Sequence, residues 1–213
     1  MLEGIDGSGK GTQAALLAER ARAAGLTVET VSFPTYDGNP FADAIAGYLN
    51  GDFGTADEVH PELAALLYAA DRYHARPKLM DALASHDLVI CDRYVASNAA
   101  HQGAKLQGEE RRRLLDWLEA VEYGEFGLPR PDVVVLLDTP VALARTLVAR
   151  KGERGYTTLE ADIHEADVAH TTATREVYLE LAARENWRVI ATADDGGLRD
   201  VEEIADEIWE SAR

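Results

Sequence analysis

Gly4-Ile5-Asp6-Gly7-Ser8-Gly9-Lys10 is the stretch that decides the fold class of this chain. It has the form G-x-x-x-x-G-K, the spacing of a phosphate-cradling loop between a strand and a helix. Glycines let successive backbone N–H groups curl inward around an anion. The helix that begins near Gly11 adds its positive end, and Lys10 brings a mobile charge to the β- and γ-phosphates of a nucleotide. One position departs from the pattern: Gly11 stands where a Ser or Thr hydroxyl usually touches Mg²⁺, and Thr12 follows as a displaced substitute. Magnesium is therefore expected to be held mainly through water, the nucleotide's own phosphates and carboxylates elsewhere in the chain.

Outward from the loop, only Met1-Leu2-Glu3 precedes it, so either the first strand is short or the natural start lies a few residues upstream. Four apolar runs have the β-branched character of buried strands: Val28 to Phe33, Leu88 to Cys91, Val133 to Leu137 and Trp187 to Ala191. Between them, Thr12 to Ala24, Glu62 to Ser85, Glu109 to Tyr123 and Val141 to Arg150 carry helical periodicity with abundant Ala, Leu, Glu and Arg. The tail, Leu198 to Ala212, reads as an amphipathic helix closing one side of the sheet. Strands alternating with helices give an α/β fold, a parallel sheet flanked by helices on both faces. With no repeat, low-complexity tract or linker in view, residues 1–213 are expected to form one domain.

The charge balance limits the partners. A formal charge of -17 repels nucleic acid and anionic membranes at long range. Any phosphate must then be met by a few local cations. Cys91 is the single cysteine, which excludes an internal disulfide and fits a reducing compartment. Neither a signal peptide nor a membrane-spanning run is present, and a cytoplasmic protein is expected.

The run Asp92-Arg93-Tyr94-Val95-Ala96-Ser97-Asn98-Ala99-Ala100-His101-Gln102-Gly103 places an acid and a base at the carboxyl end of a strand, where α/β sheets bind ligands. It resembles the D-R-Y/F-x-x-S-x-x-A-Y-Q-G signature of thymidylate kinases, as Glu3 to Gln13 resembles their E-G-x-D-G-x-G-K-x-T-Q opening. Ser32-Phe33-Pro34, Leu128-Pro129-Arg130-Pro131-Asp132, Asp138-Thr139-Pro140 and Asp162-Ile163-His164-Glu165-Ala166-Asp167 match the family in the same order. The resemblance covers the whole chain. It implies the P-loop nucleoside-monophosphate kinase fold with a lid segment near 151–160, transfer of the γ-phosphoryl of ATP to dTMP with Mg²⁺ as cofactor, and a homodimer.

Residue by residue, the resemblance assigns Gly4 to Thr12 to ATP. Tyr68 matches an aromatic that stacks on thymine, and Arg72, one turn along the same helix face, matches an arginine that reaches the base edge or the acceptor phosphate. Arg93 matches the guanidinium that grips the dTMP phosphate. Asp92 is a candidate organiser of magnesium-bound water, with Thr12 the other metal candidate. Ser97 and Gln102 match groups that contact the base, and Phe33 and His101 line the same substrate site. Asp6 matches an acid near the deoxyribose and metal, and Asp162 and Glu165 carry over as further carboxylates there. Gly7 leaves the loop without a basic residue of its own, so the lid is expected to supply charge to the transferring phosphate, with Arg150, Lys151 and Arg154 the candidates and a surface loop of incidental charge the alternative reading.

Other readings stand beside these. Tyr68 also fits a helical core pattern, Arg111-Arg112-Arg113 fits a solvated helix face, and Cys91 fits a small buried apolar residue. The Gly9 to Gln13 run is similar to adenylate kinases, which keeps a kinase of adenylate or uridylate as a rival. A silent nucleotide-binding protein on the same fold is the rival from another class.

Overall fold

The computed structural model describes residues 1–35, 38–55, 58–150 and 168–213, with Arg150 described by its backbone alone. Five parallel strands form one sheet in the order β2-β3-β1-β4-β5. They are β1 (Leu2–Glu3), β2 (Val28–Ser32), β3 (Leu88–Asp92), β4 (Val134–Asp138) and β5 (Trp187–Ala191). The strand at the centre is the shortest, two residues held between Asp92 on one side and Val135 and Leu136 on the other. Because β2 and β3 lie to one side of β1 and β4 and β5 to the other, the chain reverses its winding beside β1. That is where open α/β sheets leave a crevice at their carboxyl ends.

Period-two alternation sorts the strand residues between two apolar layers. On one face Leu2, Ile90, Val135, Leu137 and Ile190 pack with Leu17, Ala18 and Ala21 of α1 (Lys10–Ala23) and Ile204 and Ile208 of α8 (Val201–Ser211). On the other, Val134, Leu136 and Trp187 meet α4 (Val95–Gly103), α5 (Gly108–Glu119) and α7 (Val168–Leu181). The expected tail helix is α8, capped by Asp200, whose Oδ1 accepts from Glu202 N at 2.8 Å.

The remaining helices are α2 (Pro40–Leu49), α3 (Pro61–Ser85) and α6 (Val141–Arg150), and a two-stranded ribbon pairs β6 (Ala193–Asp194) with β7 (Gly197–Leu198). Where the periodicity predicts one helix to Tyr123, α5 stops at Glu119 and continues as a π-helical turn, Ala120–Glu125. The wider turn swings Glu122 inward to complete burial. Three helices escape the sequence reading: α2, α4 and α7. In α4 every residue except the intermediate His101 is buried, so it has no amphipathic face to betray it, and α2 is a ten-residue segment beginning at a proline. No helix among the described residues is long and apolar enough to cross a membrane.

Candidate active site

The glycine loop follows β1 directly. Gly7 has φ +82, and a Cβ there would lie 2.1 Å from the Ala144 carbonyl oxygen, so the loop sits against α6 with no room for any side chain, basic or otherwise. Gly9, at φ +88, takes the left-handed turn into α1, and no side chain caps that helix. The first N–H groups of α1 therefore stay open for an anion. Lys10 folds back over the loop: its Nζ donates to Gly4 O at 3.0 Å, Ile5 O at 2.9 Å and Ser8 Oγ at 3.4 Å.

Burial first, and then the nearby Arg93 charge, lower the Lys10 pKa from 10.5 to about 8. A bound polyphosphate favours the charged amine, so from about pH 8 upward the free protein must take up a proton to bind. Nucleotide affinity is expected to be flat below pH 8 and to fall as much as tenfold per pH unit above it. Calorimetric titration with ATP at pH 7 and pH 9, in buffers of different ionisation enthalpy, checks this. The free chain responds with the opposite sign. Between about 8 and 10.5 the unfolded state binds the extra proton, so fold stability rises with pH across that window.

The end of β3 brings the second half of the site to the loop. Arg93 is the one non-glycine residue with positive φ among the described residues, at 65, a sparsely populated conformation of the kind held at functional sites. Its Nη2 donates to Asp6 Oδ1 at 2.7 Å, and its Nη1 to Ser97 Oγ at 3.1 Å and Gly4 O at 3.4 Å, with His101 Nε2 at 3.5 Å. Burial is the largest single influence and opposes its charge, but Asp6, Tyr178, Asp92 and Glu3 together outweigh it and hold the guanidinium well above its ordinary pKa. Asp92 lies beside the start of α1: a Cβ on Gly11 would sit 3.4 Å from Asp92 Oδ2. The missing hydroxyl at 11 thus leaves space next to a carboxylate. Thr12 is exposed on the first turn of α1.

Behind Arg93 lies a carboxylate that the sequence reading gives no role. Glu3 is fully buried; its Oε1 accepts from Tyr94 N at 2.8 Å and Ser97 N at 3.3 Å, which caps the amino end of α4. Its Oε2 accepts from Ser97 Oγ at 2.6 Å and Tyr178 OH at 2.9 Å. Ser97 is thereby tied to Glu3 and Arg93, and its hydroxyl orients the arginine. An acid in the central strand of a covered sheet is the signal that could have found Glu3, because such a group must be partnered.

The α3 residues form the other wall. Tyr68 is half-buried and stands edge-on to Tyr48, ring centroids 6.4 Å apart. Arg72 is buried at 2% exposure and donates through Nε and Nη2 to Glu122 at 2.5 and 2.7 Å. Asp71 faces the opposite way and accepts from Thr35 N and Oγ1 and from Asn39 Nδ2, which latches the segment after Phe33 to α3. Phe33 packs against Tyr94 with centroids 5.6 Å apart. Asn98 and Gln102 are buried on α4, and in each the amide oxygen has no partner. Lys10, Asp6, Arg93, Ser97 and His101 thus form one connected cluster, while Tyr68, Phe33, Arg72 and Gln102 stand outside its direct hydrogen bonds. Arg154, Asp162 and Glu165, the lid near 151–160 and the side chain of Arg150 lie outside the described residues.

Of the arginine triplet, Arg112 and Arg113 lie on an exposed face and pair with Glu109. Arg111 is instead held inward, donating to Gly103 O and Leu106 O past the end of α4. Cys91 is buried, and burial pushes its thiol up to about 11, so it is a small apolar residue.

A family model described as thymidylate kinase matches residues 2–205. A thymidylate kinase of Mycobacterium tuberculosis (strain CDC 1551 / Oshkosh) is 36% identical over 200 residues, spanning 92% of this chain and 92% of the relative. One of Rhodopseudomonas palustris (strain ATCC BAA-98 / CGA009) is 35% identical over 216 residues, spanning 99% and 86%. A solved thymidylate kinase of Candida albicans superposes with a TM-score of 0.73 at 24% identity, covering 98% of this chain and 88% of that one, which is a likeness of fold. A phosphate loop on the central strand, an arginine on the neighbouring strand end and these relatives along the whole length agree: the chain belongs to the thymidylate kinase family of P-loop nucleoside-monophosphate kinases.

Proposed function

We propose that this chain transfers the γ-phosphoryl group of ATP to dTMP, giving dTDP and ADP. The observation that carries the reading is the convergence of two cation systems on one crevice. Lys10 and the open amino end of α1 face the donor, while Arg93, braced by Asp6 and Ser97, faces the acceptor. The acceptor is already a phosphate anion, so no strong general base is needed. The barrier is mainly electrostatic: two polyanions must be held in line while charge spreads over the group in transit.

The residues present suit Mg²⁺ as cofactor. Among the described residues no cluster of three His, Cys, Asp or Glu forms a cage, whereas Asp92 stands at the loop with space beside Gly11. Mg²⁺ takes one or two carboxylates, keeps several waters and shares the substrate's phosphates, so Asp92 would hold it, through water, with Thr12 the second candidate. When bound, the ion neutralises charge on the transferring phosphates. Arg150, Lys151 and Arg154 of the lid add cations on the donor side in this reading, and Asp162 and Glu165 meet the sugar and metal. Closure excludes water and limits hydrolysis of ATP.

On the acceptor side Tyr68 stacks on the pyrimidine, Arg72 and Gln102 address its edge, and Phe33 and His101 pack around it. The chain acts as one domain and as a cytoplasmic homodimer. Leu63, Leu66, Tyr73 and Met80 leave an exposed apolar stripe along α3 for the second copy. Sedimentation giving 23.2 kDa at micromolar concentration would exclude the dimer. The substrate reading is tested by ADP release across monophosphates at equal concentration. dTMP is expected to lead, with dUMP a few-fold poorer for want of one methyl, worth about 0.8 kcal/mol. AMP, GMP and CMP are expected to be near background, because they mismatch either the pocket's size or its buried polar groups. AMP or UMP outpacing dTMP would overturn it.

A further inference from the structure

The π-helical turn after α5 places a carboxylate where no solvent reaches it, and the groups on that carboxylate are all drawn from the acceptor wall. The Glu122 side chain is 0% exposed and the Arg72 side chain 3%. Glu122 Oε2 accepts from Arg72 Nε at 2.5 Å, and Oε1 accepts both from Arg72 Nη2 at 2.7 Å and from Asn98 Nδ2 at 2.9 Å. The second Asn98 amide hydrogen goes to the Ala65 carbonyl at 2.9 Å. A buried ion pair of this kind adds little net stability, because desolvation of both charges cancels much of their attraction. It does fix direction.

The direction of Asn98 follows from chemistry. Its nitrogen faces a carboxylate and a carbonyl, both acceptors, so turning the amide over would set oxygen against oxygen. Asn98 Oδ1 is thereby left as a buried acceptor with no partner. On Arg72 the same carboxylate occupies Nε and Nη2, leaving Nη1 as the nitrogen outside the pair. One oxygen, Glu122 Oε1, thus orients a leftover donor and a leftover acceptor at once. In a polar-group census this is an unfinished pair, of the sort a ligand completes.

We propose that Glu122 is a positioning residue for specificity: it sets the amide of Asn98 and the guanidinium of Arg72 the right way round for a pyrimidine that carries an oxo group beside a ring N–H. An oxo group accepts from Arg72 and the ring N–H donates to Asn98 Oδ1. A base with an amino group beside an unprotonated ring nitrogen has the reverse pattern and meets donor with donor and acceptor with acceptor. This rests on the reading of the site as one for dTMP. Glu122 touches no reacting atom and works through the two side chains it holds.

The test compares dTMP with dCMP on wild type, Glu122→Gln and Glu122→Asp. Gln keeps the shape but supplies an amide that can donate where the carboxylate accepts, which frees Asn98 to turn over. The dTMP-over-dCMP ratio in kcat/KM is expected to fall at least tenfold in E122Q, with the KM for dTMP rising more than kcat falls. ATP affinity should be unchanged, and E122D, which restores the carboxylate, should recover most of the ratio. A purely structural role would lower the active fraction for both nucleotides alike and leave the ratio where it was; that outcome, in folded E122Q, overturns the proposal. A measurement on unaltered protein covers variants that fail to fold. The Asn98 side-chain NH₂ resonances should move little on dTMP addition, because both hydrogens stay on Glu122 and Ala65. A large shift of those resonances, with the amide nitrogen turned to the nucleotide, also overturns it. Wild type that prefers dCMP would instead contradict the dTMP reading itself.

Discussion

Lys10→Ala is expected to lower kcat about a hundredfold or more while the fold survives, the scale seen when one preorganised electrostatic donor is removed. Nζ bridges Gly4 O, Ile5 O and Ser8 Oγ, so the amine sits over the loop that receives the phosphates. Its charge is needed most as negative charge builds on the group in transit, so the loss should fall on kcat more than on ATP binding. Stability should change little, because the deleted group is a buried ammonium whose pKa burial has lowered to about 8. Steady-state kinetics with ATP varied at saturating dTMP, alongside thermal melting, reads both. A folded variant with near wild-type turnover would remove the loop from the chemistry.

Arg93→Ala is expected to strike the other substrate. The guanidinium is half-buried, and its Nη2 is held by Asp6 at 2.7 Å and its Nη1 by Ser97 at 3.1 Å, so its direction is set by the protein. Losing one charge-assisted partner of a buried phosphate costs about 2–5 kcal/mol, which is at least about thirtyfold in kcat/KM for dTMP. The KM for dTMP should rise sharply and kcat should fall, whereas the Kd for ATP measured without dTMP should hardly move. Lysine is not expected to rescue it, because one ammonium cannot span Asp6, Ser97 and a phosphate as a planar fork does. Arg93→Gly separates head group from backbone: it relieves the positive φ of 65 yet should be as inactive as Arg93→Ala. Unchanged dTMP kinetics in both variants would reassign the acceptor phosphate to another cation.

The sequence shows the site more clearly than the layers around it. The glycine loop reads directly because its function demands backbone that only glycine permits, as the 2.1 Å approach of Ala144 to a Cβ at Gly7 demonstrates. The strands Leu88 to Cys91 and Trp187 to Ala191 read to within a residue of β3 and β5: β3 because its run is continuously apolar and covered, β5 because Trp187, Val189 and Ile190 are strand formers, although Arg188, Val189 and Ala191 are exposed. What stays hidden is polar and buried. Glu3 and Glu122 look in sequence like two of 38 acidic residues, and only the tertiary structure shows that each is walled in and loaded with donors. Glu122 is further disguised by the π-helical turn, which a period of 3.6 cannot anticipate. Asn98 lies inside a run already quoted for its neighbours, yet its significance is an absence, an amide oxygen with no partner, which sequence does not record. The Asp71-Arg72 pair shows the same limit. Adjacent on α3, the two side chains turn to opposite loops, one to Thr35 and Asn39, the other to Glu122.

The most direct test of the central claim follows the phosphoryl group itself. ATP labelled at its γ-phosphorus is mixed with the protein, Mg²⁺ and dTMP, and the products are separated at early times. The prediction is label in dTDP at a rate equal to ADP formation, with little label released as inorganic phosphate and none transferred when dTMP is left out. Label accumulating as free phosphate at a rate indifferent to dTMP, or passing to another monophosphate in preference to dTMP, would contradict it.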